Sequence, residues 1–591
     1  MDAAAAARPA AATAPAVSLS LTQTLSPSIV VLRAPSVADR LVAAGGEAAE
    51  AAERAWSADA FHAQERVLAR LARAGAPARP DHRFSRALNG FSASLGAVQV
   101  AALEADPAVA GVYPVRRAVG LLAARPRRGG AVPDPGGRRD AVGTGAERAG
   151  AGAGIAVIGA GATQTAALAA AVAGRAPGSL TWPVVVQGPP TTVGLLAALE
   201  RALDPDGDGD CHDAARVIVI GVVEPLAALP DAPSARAVAG AAALDSVVVV
   251  PVGEGGAAGP LYGSLAGPAG APAAISVAAA ELRAGEVTLA AGSASGLAPG
   301  RSASFVLAPG RRSVDAAAAV AAEVALLLQA RPGLGARTAR AVVEGSARPA
   351  PPPAAGVVDL AAALAAEVAV ELSALAADGT GVATVRNIST RPLRVEVTVD
   401  GAGTALPHAL ALAPGASGRV VIHTSAPTQS APLGAPLGAP LGALSTGDAV
   451  NAGALVVTPD DGAAARARWV RVSPRPVPLL AHVTLTRPFG ATVSDATPAR
   501  LDIRAGAVLG TGVTRQFRPL ARLDVELWSA RRRLGLLVRL RDVLPGRYVV
   551  GLTGRGPGGA RLAPGRYAVR VVAVPADGTV AQRRDLSFRV T

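Results

Sequence analysis

From residue 153 to about 350 the chain repeats one grammar: an uninterrupted aliphatic run, a glycine or polar turn, then an alanine-rich stretch of helical length. GIAVIGAG (154–161) precedes TQTAALAAAVAG (163–174), TWPVVVQG (181–188) precedes VGLLAALERAL (193–203), and ARVIVIGVV (215–223) precedes ARAVAGAAALD (235–245). SVVVVPVGEGG (246–256) and AAISVAAAE (273–281) add two more runs, and VDAAAAVAAEVALLLQA (314–330) and ARTARAVVEGSA (336–347) finish as helices. Apolar runs without alternation are strands covered on both faces, and strands joined through helices run parallel. The fold class predicted for this stretch is α/β, a doubly wound parallel sheet.

At 591 residues the chain is too long for one core, and three to five domains are expected. Half the residues are hydrophobic but only 3% are aromatic, so the cores are built from small aliphatic side chains at close backbone approach. Before the alternating stretch, SIVVLRA (28–34), AFHAQERVLARLARAG (60–75), HRFSRALNGFSASL (82–95), AVQVAALEADP (97–107) and VAGVYPVRRA (109–118) read as strand, helix, two strands around Asn-Gly, helix and strand. That order predicts a small ferredoxin-like α+β sandwich. Beyond about 355 the helices fade into alternating strands, first to ARWVRV (467–472) and then from 480 to the end. A proline-paced APLG repeat (431–442) reads as a spacer or loop insertion.

The formal charge is +13, and all 57 basic residues are arginine. Arginine without lysine, beside so much alanine and glycine, reads as GC-biased coding. With few aromatics to stack bases and no nucleic-acid motif, no nucleic-acid partner is expected. The single Cys211 excludes an internal disulfide. The N-terminus lacks the basic region of a signal peptide, and the most apolar run, 316–330, is interrupted by Glu323, so no membrane span is expected.

Four segments resemble one family. SIVVLRAP…ALNGFSASLGAVQVAALEADPAVAGVYPVRR, VVVVPVGEGG…GSLAGPAGAPAAISVAA, FVLAPG and AAVAAEVALLLQARPGL…ARAVVEGSA are similar to segments of secreted subtilisin-like (subtilase, S8) serine proteases. The resemblance implies a disordered N-terminus (1–27), an inhibitor-I9-like propeptide (28–118), a linker (119–152) and a degenerate subtilase-like domain (153–352). A fibronectin-III-like sandwich (355–475, with the APLG repeat) and a C-terminal Ig-like β domain (480–591) follow. It also implies an extracellular or cell-surface protein.

Active members of that family begin the helix with Gly-Thr-Ser-Met-Ala-Ala-Pro-His, the serine being the nucleophile. An ungapped match puts Arg312, Ser313 and Val314 on Gly, Thr and Ser, so the nucleophile position is Val314. The triad Asp falls on Gly159 and the His on Gly161, and the oxyanion Asn falls on Glu254, where a carboxylate repels a developing oxyanion. Residues 150–350 contain one histidine, His212, in the loop DPDGDGDCHD. An acyl-transfer relay needs a base that takes the nucleophile's proton. The resemblance therefore implies a pseudoprotease, retained as an exported scaffold or binding protein for an unidentified protein or peptide. The alternative is an active S8-type serine endopeptidase with a rearranged site using Ser313 or Ser304; Cys211 beside His212 offers a weaker cysteine version. No cofactor is expected. Asp204, Asp206, Asp208 and Asp210 match the first half of a calcium loop whose twelfth position is Ala215, so this acidic stretch reads either as a structural Ca2+ site or as a solvated turn.

Overall fold

The computed structural model describes residues 17–19, 25–121, 152–255, 265–283, 286–294, 296–297, 305–350, 354–427, 449–473, 476–486, 498–509, 516–557 and 559–590. The APLG repeat, Ser304, the linker from 122 to 151 and most of residues 1–24 lie outside them.

Seven parallel strands form the central sheet, in the spatial order Ala354–Val357, Phe305–Pro309, Ile275–Arg283, Val247–Pro251, Val217–Ile220, Gly152–Ala160, Ser179–Val186. Glu286–Leu289 folds back antiparallel on Ile275–Arg283. Every residue of Val217–Ile220 and Val247–Pro251 is buried, as uninterrupted apolar runs require. FVLAPG supplies a strand, because Phe305, Val306, Leu307 and Ala308 are all buried between two neighbours. The first strand in sequence, Gly152–Ala160, lies between the second and the third, so the winding reverses direction there. A crevice opens at such a reversal, outside the carboxyl ends of the strands.

The Ser313–Ala330 helix packs on the sheet and on the Gly161–Ala173 helix. By length and composition it could cross a membrane, but two-thirds of it is buried here, and alanines at 316, 317, 318, 321, 322 and 325 let it approach its neighbours closely. It is the core helix of one face.

The N-terminal four-stranded sheet runs Pro80–Phe84, Gly90–Leu95, Ser26–Leu32, Val109–Pro114, all antiparallel, which is the ferredoxin-like order. Helices Glu50–Arg73 and Ala97–Ala105 cover one face. The first starts ten residues earlier than its apolar spacing indicates, because alanines at 51, 52 and 55 extend it without adding to the stripe. The short Val37–Ala43 helix, missed in the sequence, is fixed by a capping box in which Ser36 and Asp39 exchange bonds of 3.1 and 2.9 Å. Ile29, Val31, Val37, Leu41, Phe84 and Tyr113 join the cluster built by the Thr192–Leu203 and Pro233–Ala243 helices, so this unit and the central sheet share a continuous core.

Residues 368–424 and 449–473 form two antiparallel four-stranded sheets around buried Trp469. Strands between Leu480 and Val590 build two further four-stranded sheets and the two-stranded pair Ala507–Leu509 and Gln516–Arg518. Val17–Leu19, within the stretch expected to be disordered, adds in parallel to Gly546–Leu552 as an edge strand.

Candidate functional site

The crevice at the winding reversal is filled by the chain itself. After the last strand of the N-terminal unit, residues 116–121 run out extended across the carboxyl ends of the sheet. Val119 and Gly120 pair antiparallel with Val223 and Val222, and the Leu121 amide donates to the Gly221 carbonyl at 2.8 Å. On the other edge, the Ala118 amide donates to the Pro190 carbonyl (2.9 Å), the Thr192 amide to the Arg116 carbonyl (3.0 Å), and Arg117 bridges Thr191. The tail thus pairs through residues 116–118 with the 190–192 loop and then, through Val119 and Gly120, as an edge strand beside Val222–Ala227, and main-chain pairing holds it whatever its side chains. Gly120 is required: a Cβ there would collide with the Ala160 Cβ and the Gln164 carboxamide.

The positions matched to the catalytic triad lie where that tail passes. Gly159 is the penultimate residue of the strand beneath it, and a Cβ at 159 would come within 2.5 Å of the Thr165 hydroxyl and 2.8 Å of its Cα. Gly161 starts the next helix at φ +71°, a left-handed conformation that side-chain-bearing residues rarely adopt. Gly159 lacks room for an aspartate, and Gly161, although an added Cβ would meet no atom within 4 Å, has a backbone conformation that a histidine rarely adopts. Val314 is fully buried, in a cluster with Val306, Ala308 and Ala317.

Glu254 and Ser313 do meet. The Ser313 amide and hydroxyl both donate to Glu254 Oε1 at 2.9 Å, and the Val314 amide also bonds this carboxylate. The residue preceding the helix, Arg312, makes no side-chain cap, so a side chain from the distant Val247–Pro251 strand end performs the capping. Burial raises the Glu254 pKa, opposed by the Ser313 and Val314 donors and by Arg312. Chemically this is a helix cap: the amides at the helix start, which could steady an external anion, are taken by an internal one.

His212 is far from this arrangement in its contacts. Its ring is 41% exposed, Nε2 lies 3.1 Å from the Ala48 carbonyl and 3.4 Å from Glu53 Oε1, and both partners belong to the N-terminal unit. Cys211 is buried, and burial pushes its thiol well above the ordinary range, which disfavours the thiolate a nucleophile needs.

The acidic loop divides. Carboxylate oxygens of Asp204, Asp206 and Asp213 lie within 4.8 Å of one another, whereas Asp208 and Asp210 accept from Arg54 at 3.1 and 2.5 Å. Asp204 pairs with Arg86 and accepts the Gly207 and Gly209 amides. The four aspartates singled out in the sequence do not converge as one ligand set; arginines of the N-terminal unit supply much of the positive charge. Beside them, buried Glu200 accepts the amides of Ser85 (2.9 Å), Arg86 (3.1 Å) and Ala87 (2.9 Å). Burial raises its pKa and these donors with Arg86 oppose the rise. Glu53 reciprocates by accepting the Cys211 amide at 2.8 Å. None of these docking residues was legible as such: Glu200 reads as one polar residue on an apolar helix, and Gly120 as one glycine among many.

Comparison with known proteins places a name on the N-terminal unit. Residues 29–117 match the peptidase inhibitor I9 family. This I9-like unit is the one whose tail enters the crevice. Among curated proteins none matches the chain. Solved structures similar to it include fervidolysin from Fervidobacterium pennivorans, a keratinolytic enzyme related to subtilisin (14% identity, 97% of this chain and 92% of that one, TM-score 0.37). A serine-to-alanine mutant of the protease domain of PatA (20% identity, 36% and 86%, TM-score 0.28) is another. A third is a protease from Pseudoalteromonas arctica (18% identity, 32% and 62%, TM-score 0.25).

Proposed function

We propose that this chain is a subtilisin-like protease homologue without peptidase activity, exported and kept as a scaffold or binding protein, with its I9-like unit a permanent subdomain. The observation that carries the reading is the tail at 116–121, clasped on both edges directly over Gly159–Gly161 with Gly120 packed on Ala160 and Gln164. A substrate peptide would have to displace it, and Gly159, Ala160 and Gly161 beneath it offer no side-chain proton acceptor. Hydrolysis by this architecture requires a hydroxyl and a base at one point, and loss of any one of them costs orders of magnitude in rate. Retention of the I9-like unit is supported by the shared apolar core and the Glu200, Glu53, Arg54 and Arg86 contacts. A partner would be a protein or peptide bound by surfaces other than this crevice.

One observation favours the alternative, a rearranged serine hydrolase: the 2.9 Å bond from Ser313 Oγ to Glu254 has the form of a nucleophile and its base. Ser313 is fully buried, however, and its amide shares the same carboxylate oxygen. A fluorophosphonate probe distinguishes the two. The purified chain is expected to remain unlabelled; labelling that vanishes in Ser313→Ala establishes the hydrolase instead.

A further inference from the structure

The net charge is not spread along the chain. Residues 480–591 hold 19 arginines against 7 aspartates and glutamates, a balance of +12, while residues 1–479 hold 38 against 37. Coding bias explains arginine in place of lysine everywhere, but it acts on the whole gene and cannot concentrate the uncompensated charge in one β unit. The compositional reading of the charge is therefore incomplete.

Within that unit the charge is concentrated again. The sheet Arg532–Val543, Leu520–Ser529, Gly565–Pro575, Gln582–Val590 is antiparallel throughout, and its two ends differ. At one end Arg539 bonds Asp524 at 2.7 and 3.0 Å and Arg541 bonds Glu104 of the I9-like unit at 2.8 and 3.0 Å, while Arg583 and Arg584 on the outer strand are exposed. At the other, Ser529 pairs Arg532 across a tight turn in which Ala530 has φ +51°. Trp528 pairs both Arg533 and Ala568, so Arg566 lies level with that turn, and Arg566 directly faces Arg589. The hairpin where Arg555 bridges Arg561 lies alongside, since a Cβ at Gly535 would meet Pro557 at 2.7 Å.

Arg531, Arg532, Arg561, Arg566 and Arg589 are exposed and, among the described residues, form no ion pair and no side-chain hydrogen bond. Arg533 takes the nearby Glu526 at 2.9 Å. Like charges directly opposite one another on a sheet are destabilising, so the Arg566–Arg589 pair carries a cost that a bound anion would relieve. We propose that the turn end of this sheet binds an acidic polysaccharide, its carboxylates or sulfates paired by Arg531, Arg532, Arg561, Arg566 and Arg589.

Guanidinium groups bind carboxylate and sulfate through paired N–H donors, and Arg566 and Arg589, whose backbones stand about 5 Å apart across neighbouring strands, offer two such groups to successive anions of an extended polymer. Nucleic acid is less well served. The local aromatic rings are already engaged: Arg570 covers one face of Trp528 at 4.1 Å, and Tyr567 stacks on Phe588 at 5.8 Å. A membrane surface would want exposed apolar anchors, and among the described residues none of the exposed large hydrophobics lies at this end.

The test uses the full chain titrated against fluorescein-labelled heparin oligosaccharide and against labelled duplex DNA at one salt concentration, about 150 mM. Heparin binding, competed by unlabelled polygalacturonate, is expected, with at least about tenfold loss in Arg531→Ser/Arg532→Ser/Arg566→Ser/Arg589→Ser. It should change less than about twofold in Arg33→Ser/Arg66→Ser/Arg73→Ser/Arg79→Ser, which removes the same charge from the I9-like unit. Equal loss in both variants, tighter binding to the duplex, or no heparin binding by the unaltered chain each overturns the proposal. Should the first quadruple variant fail to fold, Arg531→Ser/Arg532→Ser at the exposed turn replaces it, with a loss beyond that of Arg66→Ser/Arg73→Ser required.

Discussion

Glu254 decides the chemistry of the helix start. A carboxylate held by the Ser313 and Val314 amides blocks the donors that an oxyanion would use, and in exchange caps a helix whose own flanking residue offers no cap. Glu254→Ala should therefore lower stability by roughly 1–2 kcal/mol, read as a fall in melting temperature, without creating labelling by a fluorophosphonate. A gain of labelling would mean that the amides were the sole missing element. At this scale the sequence was informative about identity and silent about placement. That Val314 has no hydroxyl and Gly159 no carboxylate is visible in the letters; that Gly161 sits at φ +71° and that Thr165 fills the space above Gly159 is set by tertiary packing, which no single position announces.

At the scale of elements, the tail at 116–121 acts as a strand that the central unit was built to receive, bonded to the 190–192 loop on one edge and Val222–Ala227 on the other. Its weak point is Gly120, packed against Ala160 and Gln164. Gly120→Val should expel the tail, costing roughly 1–3 kcal/mol, and expose the amide of Leu121 to hydrogen exchange together with those of its neighbours. Unchanged protection there would show that the tail does not depend on this contact. The parallel sheet was legible from Val217–Ile220 and Val247–Pro251, whose unbroken apolar runs allow no other environment. The tail was not, because RRAVGLL carries no pattern distinguishing a docked edge from a linker; its pairing is written in the partner strand.

At the scale of the whole molecule, the I9-like unit is held from two sides, by the central sheet and by the C-terminal β unit. At the second junction Asp542 is buried with its carbonyl accepting from Arg116 at 2.7 Å. Burial raises its pKa from 3.8 to about 6, opposed by Arg116 and Arg236 and reinforced by Glu224 and Asp231. Between about pH 4 and 6 the folded chain holds a proton that the unfolded chain has released, so this group's contribution is fully present below about pH 4 and is lost as pH rises through 6. Asp542→Asn keeps the side-chain shape, tolerates the observed φ of +52°, and should raise the melting temperature at pH 7.5 while flattening its decline across that window, an effect of order 1–3 kcal/mol. A melting profile unchanged by the substitution would place the pH dependence elsewhere.

The most direct test of the inert-crevice account is the intact mass of the purified chain after prolonged incubation with outside proteases excluded. A single species at the full 58.1 kDa is predicted. Release of an N-terminal fragment ending between residues 122 and 151, abolished by Ser313→Ala, would contradict it.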